Sequence, residues 1–132
     1  MTRHESRVTA FCLLFEYSFG GTPEEILANA AEYREEKISA FANQLFLGAV
    51  GEIEKIDGLI KQFAENRTFS RIGKVPLAAL RLGCYELLFT RTPAEVAINE
   101  ALELCREFNF EESVSYVNGV LGKINSSREQ NG

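Results

Sequence analysis

Few residue types in this chain could carry out chemistry: one histidine, three cysteines and some paired acids. His4 ordinarily titrates near neutrality, but it has no evident serine or cysteine partner in sequence. Cys12, Cys84 and Cys105 make an odd count with no CxxC spacing, each in an apolar helical context. They read as buried free thiols in a reducing cytoplasm. A zinc site needs about four ligands, and one histidine with scattered cysteines does not supply them. Glu24-Glu25 and Glu111-Glu112 fall at predicted helix starts, where the helix dipole accounts for them without a catalytic pair. There is no glycine-rich phosphate loop, metal-ligand cluster or nucleophile motif. The residue chemistry points away from an enzyme and calls for no cofactor and no metal.

Binding chemistry fits better. Arg3, His4 and Arg7 lie a turn apart on one helix edge. Phe15, Tyr17 and Tyr116 stand on helices that can pack nearby. Cations beside aromatic faces suit single-stranded RNA, with cations for phosphates and rings for unstacked bases. Taken alone, three basic residues on a helix are more often a solvated face. The formal net charge of -5 argues against a generic nucleic-acid coat, which rests on many phosphate contacts. It leaves room for a small basic patch. No apolar run approaches the roughly 20 residues of a membrane span, and the N-terminus lacks the order of a signal peptide.

The elements that must position these residues are helices. Thr2 and Glu5 form a capping-box pattern opening a helix over about 3–18, closed by Gly20-Gly21. Thr22-Pro23-Glu24-Glu25 starts a second, followed by a solvated connection at 34–37. The 3.6-residue rhythm from Ile38 to Phe63 predicts one long helix over 38–65, with Gly48 and Gly51 at close helix contacts. After a break at 66–71, Pro76 marks a helix to about Thr90. Thr92-Pro93-Ala94-Glu95 launches another, and Glu111-Glu112-Ser113 a last one to about 126. Nothing alternates with period two. The expectation is all-α: a compact bundle of six or seven helices, one domain over 1–132, with a frayed tail at 127–132.

Three stretches have the cleanest pattern: Leu80-Arg81 with Tyr85-Glu86-Leu87, then Val96-Ala97-Ile98-Asn99-Glu100-Ala101, then Tyr116-Val117-Asn118-Gly119-Val120-Leu121. Their residue types, order and spacing over about 69–124 resemble the bacterial NusB family. The first half is similar more loosely, through Arg3, Arg7, Ala10, Phe15, Phe41, Leu45 and Gly48. Leu80, Leu87, Val96, Ile98, Ala101, Val117, Val120 and Leu121 are expected in the core. Asn99 and Asn118 are expected as buried polar groups, and Gly119 at a close helix approach.

The resemblance implies two helical subdomains, about 1–66 and 67–126, and a function without catalysis. NusB-like proteins act in transcription antitermination. They pair with the ribosomal protein NusE, bind the boxA element of nascent RNA, and join the RNA polymerase antitermination complex, chiefly on ribosomal RNA operons. Carried over residue by residue, the RNA contacts implied are Arg3, His4, Arg7 and Phe15, then Glu112, Ser113 and Tyr116. The NusE surface implied lies near Pro76, Leu77 and Arg81. This chain departs from the family pattern at His4 and Glu5, where arginines are frequent, and at Pro76-Leu77, where a charged pair is common. Two alternatives stand beside this reading: a scaffold with the same fold and weakened RNA binding, and a fragment of an RNA-modifying enzyme. Some family members also self-associate, so a homodimer is a further expectation, as are a cytoplasmic location and no membrane contact.

Overall fold

The computed structural model describes residues 1–33, 37–64 and 67–131. Residues 34–36 of the expected connection and Asn66 of the expected break lie outside them. Among the described residues there are seven α-helices and no strand, which matches the all-α expectation. They are α1 (Arg3–Tyr17), α2 (Pro23–Tyr33), α3 (Ala40–Gly51), α4 (Ile53–Phe63), α5 (Lys74–Phe89), α6 (Ala94–Glu107) and α7 (Val114–Asn131). Short 3-10 turns occupy Phe69–Arg71 and Glu111–Ser113.

The α1 start follows the capping pattern. Thr2 Oγ1 accepts from the Glu5 N–H at 3.0 Å and donates to Glu5 Oε1 at 3.1 Å. Gly20 and Gly21, at φ +107° and +96°, then turn the chain through conformations that side chains rarely adopt.

Helix α5 is the hub. Every residue from Pro76 to Leu87 is buried, because α1, α3, α4, α6 and α7 all pack on it. Two glycines make this density possible. A Cβ at Gly48 would sit 2.1 Å from Tyr85 Oη, and one at Gly83 would meet Leu121 Cδ1 at 2.8 Å and Ala101 Cβ at 3.2 Å. Neither site has room for a methyl group.

Several expectations need correction. The long helix over 38–65 is two helices, because the chain bends at Glu52 (φ -111°, ψ 20°), directly after Gly51. The bend lets α3 face α1 and α5 while α4 faces α5 and α7. A Cβ at Gly51 would meet nothing within 4 Å, so the close contact expected there exists only at Gly48. Gly119 likewise faces open space. Asn99 and Asn118 are exposed, since the buried stripes of α6 and α7 are Ala97, Ala101, Leu104 and Cys105, and Val117, Val120, Leu121 and Ile124. Val96 lies off that stripe and is 40% exposed. The cap of α6 is Pro93, with no side-chain hydrogen bond, and Thr92 instead accepts from Thr90 Oγ1. Helix α7 continues past 126 to Asn131, with Arg128 Nη1 donating to the carbonyl of Leu87.

Candidate nucleic-acid interface

The first turns of α1, the start of α3 and the α5–α6 connection enclose a cleft of about 620 Å³. Arg3, Arg7 and Arg91 line it together with Phe41, Phe89, Gln44, Thr90 and Thr92. The Arg3 guanidinium lies 4.2 Å from the centroid of the half-buried Phe41 ring, and that of Arg7 at 5.5 Å. Arg3 and Arg91 are exposed. The wall thus offers cations for phosphates, an aromatic edge for a base, and an amide with two hydroxyls for polar contacts.

Arg7 plays a different part from the one its spacing suggests. It is 5% exposed, and its Nε donates to both carboxylate oxygens of Glu86, at 3.0 and 3.1 Å. Burial pushes the Glu86 carboxyl above its ordinary range, with Arg7 pulling against it. Much of the Arg7 charge is therefore committed inward, although its Nη1 also lies 3.8 Å from Glu100.

His4 turns away from the cleft toward α6. Its Nδ1 is 3.0 Å from Glu100 Oε2 and its Nε2 is 3.0 Å from Glu107 Oε2. Carboxylates at both ring nitrogens favour the imidazolium form, in which both nitrogens donate. The Glu100 hydrogen bond raises the His4 pKa most; partial burial opposes it, and Glu107 adds to the rise. His4 offers little free charge to a phosphate. It offsets the charge of Glu107 and of Glu100, the latter also 3.8 Å from Arg7 of the cleft wall.

The remaining expected RNA contacts lie elsewhere. Phe15 is twelve residues along α1 from Arg3, roughly 18 Å at 1.5 Å per residue. Its ring meets Phe19 at 5.1 Å, and it lines an apolar cleft of about 310 Å³ with Phe11, Val75 and Phe108. Glu112 is exposed, while Ser113 is buried with its N–H donating to the Phe110 carbonyl. Tyr116 is half-buried. Its hydroxyl donates to the Ala64 carbonyl at 3.2 Å, and the Arg67 guanidinium covers its ring at 4.2 Å. Burial raises the Tyr116 hydroxyl pKa, with Arg67 opposing. Of the expected set, the structure brings only Arg3 and Arg7 together in the basic cleft.

The expected partner-binding residues Pro76, Leu77 and Arg81 are all buried in α5. Arg81 forms a two-pronged ion pair with Asp57, Nε to Oδ1 at 3.0 Å and Nη2 to Oδ2 at 2.8 Å. Its third nitrogen, Nη1, is buried with no hydrogen-bond partner among the described residues. Just before this trio in the chain, Arg71 and Lys74 are exposed; Lys74 Nζ donates to the Ser18 carbonyl at 3.2 Å and lies 4.9 Å from the exposed Phe19 ring. Sequence reasoning missed Phe41, Phe89 and Arg91 as cleft residues. The one available signal was Arg91, a lone cation between two threonines in a helix break.

Burial pushes the Cys84 thiol up to about 12 and that of Cys105 to about 11, which removes both as nucleophiles at neutral pH. Among the described residues no group of acids, histidine and cysteines is arranged to hold a metal ion, and no helix is long and apolar enough to cross a membrane.

Comparison with known proteins adds a consistent finding. The model of the NusB family matches residues 4–126. A transcription antitermination protein NusB from Nitratiruptor sp. is 38% identical over 128 residues, covering 93% of this chain and 91% of the relative. A solved structure of the antitermination factors NusB and NusE in complex with dsRNA superposes with a TM-score of 0.81 at 30% identity, covering 96% of this chain and 99% of that one. NusB of T. maritima superposes with a TM-score of 0.83 at 32% identity, covering 96% of this chain and 92% of that one.

Proposed function

This chain belongs to the NusB family, and from that premise we propose that it is a transcription antitermination factor that binds boxA-type RNA together with NusE. The observation that carries the RNA side is the cleft in which Arg3 and Arg91 stand exposed beside the rings of Phe41 and Phe89. The partner side is supported by the solved complex of NusB and NusE with dsRNA. The protein acts by binding rather than by catalysis. NusE contributes a second RNA surface, so the two together hold RNA more tightly than either alone.

Arg3, Arg7 and Arg91 form the basic end of the RNA surface, with Arg7 also fixing the cleft wall through Glu86. Phe15, Glu112, Ser113 and Tyr116 belong to a second, more distant strip of RNA contact. His4 acts by masking Glu100 and Glu107. Pro76, Leu77 and Arg81 shape the NusE-facing side from beneath, and Arg71, Lys74 and Phe19 present it. The RNA-bound pair joins the RNA polymerase antitermination complex in the cytoplasm, chiefly on ribosomal RNA operons. In the absence of RNA the chain forms a homodimer, which size-exclusion chromatography at two concentrations tests.

The main test is a titration of labelled boxA RNA with the protein, with and without NusE. Binding that tightens when NusE is added is the expected result. NusE binding with no RNA affinity in either arm would instead leave the protein as a scaffold.

A further inference from the structure

The ring of Phe89 borders two clefts. One is the basic cleft of Arg3, Phe41 and Arg91. The other is a groove of about 440 Å³, floored by Leu59, Leu88 and Ile124 and edged by Lys55 and Arg128. Its volume falls in the roughly 300–1,000 Å³ range of ligand pockets. The shared wall is firmly built. Tyr85, buried in α5, stacks on Phe89 with ring centroids 5.9 Å apart and planes at 23°. Lys55 Nζ lies 5.7 Å from the Phe89 centroid on the groove side. Lys55 and Arg128 are both exposed, and Arg128 is anchored by its bond to the Leu87 carbonyl.

We propose that this groove is a second nucleotide site. It takes a base of single-stranded RNA that leaves the basic cleft past Phe89, and Lys55 and Arg128 meet the phosphates on either side of that base. The inference rests on the RNA-binding function proposed above. Two observations favour it. An apolar floor next to an aromatic ring, with cations at the rim, is the combination that unstacked bases and their phosphates need. The groove also lies directly across the Phe89 ring from the basic cleft, so a strand held by Arg91 has only that ring to pass over. An acidic protein segment would value the same cations, but its carboxylates have no use for the apolar floor and the Phe89 ring, which a base fills. Glu54 and Glu129 stand beside Lys55 and Arg128 in sequence, which limits the expected gain to several-fold.

The experiment measures binding of single-stranded boxA RNA to the protein–NusE complex over a range of salt, with the full RNA and with RNAs shortened stepwise from each end. It compares the natural chain with Lys55→Glu and Arg91→Ala. The expected result is that Lys55→Glu weakens the full RNA several-fold and flattens its salt dependence, while its melting temperature and NusE affinity stay unchanged. Shortening from one end removes the Lys55→Glu effect and leaves the Arg91→Ala effect in place. Full-length binding by Lys55→Glu equal to that of the natural chain, with Arg91→Ala weakened, overturns the second site and leaves the basic cleft intact. A Lys55→Glu defect confined to NusE affinity overturns it in favour of protein docking. No RNA binding by any form, the natural chain included, overturns both the site and the RNA function beneath it.

Discussion

The guanidinium of Arg7 faces the protein interior, and this decides what its removal does. Truncation to alanine would leave Glu86 buried beside an empty space, without its hydrogen-bonded cation and with the weaker pull of Arg3 remaining. Breaking one side of a buried ion pair costs on the order of 3 kcal/mol or more. Arg7→Ala should therefore lower the melting temperature clearly, and adding Glu86→Gln should recover much of the loss. An unchanged melting temperature for the single variant would remove Arg7 from the structural role. Arg91 is the contrasting case. It is exposed, so Arg91→Ala should stay within about 0.5 kcal/mol of natural stability. It should also weaken RNA binding and reduce the salt slope by about one. Sequence spacing placed Arg3 and Arg7 on one helix edge correctly, while His4 turns from it to α6. It did not reveal what that edge meets, because Glu86 and Glu100 lie some eighty and ninety residues away. Pairing across such distances leaves no periodic trace.

Between elements, His4 is the clasp that joins α1 to α6. Its pKa is raised in the folded state, chiefly by the Glu100 hydrogen bond. The clasp is fully present below the unfolded-state value near 6.5 and is lost as pH rises through the higher folded value. The natural chain should thus lose melting temperature relative to His4→Gln as pH climbs from about 6 to 8. A constant difference across that window would show that His4 is not acting through its charge. Helix packing around α5 gives a second expectation. Gly83→Ala gains up to about 1 kcal/mol of helix propensity, but its methyl group would press on Leu121 and Ala101. Overpacking of that kind costs about 1–3 kcal/mol, so a lowered urea midpoint is expected, and a raised one would mean that Leu121 moves aside freely. Helix starts at Thr2 and Thr22 were legible because a side-chain cap is a local event. The bend at Glu52 was not, because the apolar rhythm runs unbroken through it and only the two different packing partners of α3 and α4 require it. Val96, Asn99, Asn118 and Gly119 were misplaced for a related reason. A motif names residues that recur together, and it does not say which of them turn inward.

For the whole molecule, the net charge of -5 sets the character of RNA binding. With only a few cations collected on one side, phosphate contacts are few, and log K should fall with log salt at a slope of only about -2 to -3 for the protein without NusE. A slope several times steeper would mean that a much larger basic surface is at work. The all-helical class was readable from periodicity because 3.6-residue stripes are long-range patterns within single elements. Which stripe would become the hub was partly readable, since α5 is apolar nearly all round and a helix of that kind must be enclosed.

That enclosure bears on how the protein is made. Helices α1 to α4 leave the ribosome before α5 exists, and three of them pack on it. Until it arrives, their apolar stripes can meet only one another, and helices of eleven to fifteen residues are marginal on their own. The first half of the nascent chain should therefore remain open and vulnerable to aggregation or to capture by chaperones until roughly residue 89 has emerged. Completion of the fold waits for α6 and α7 to close the other side of α5.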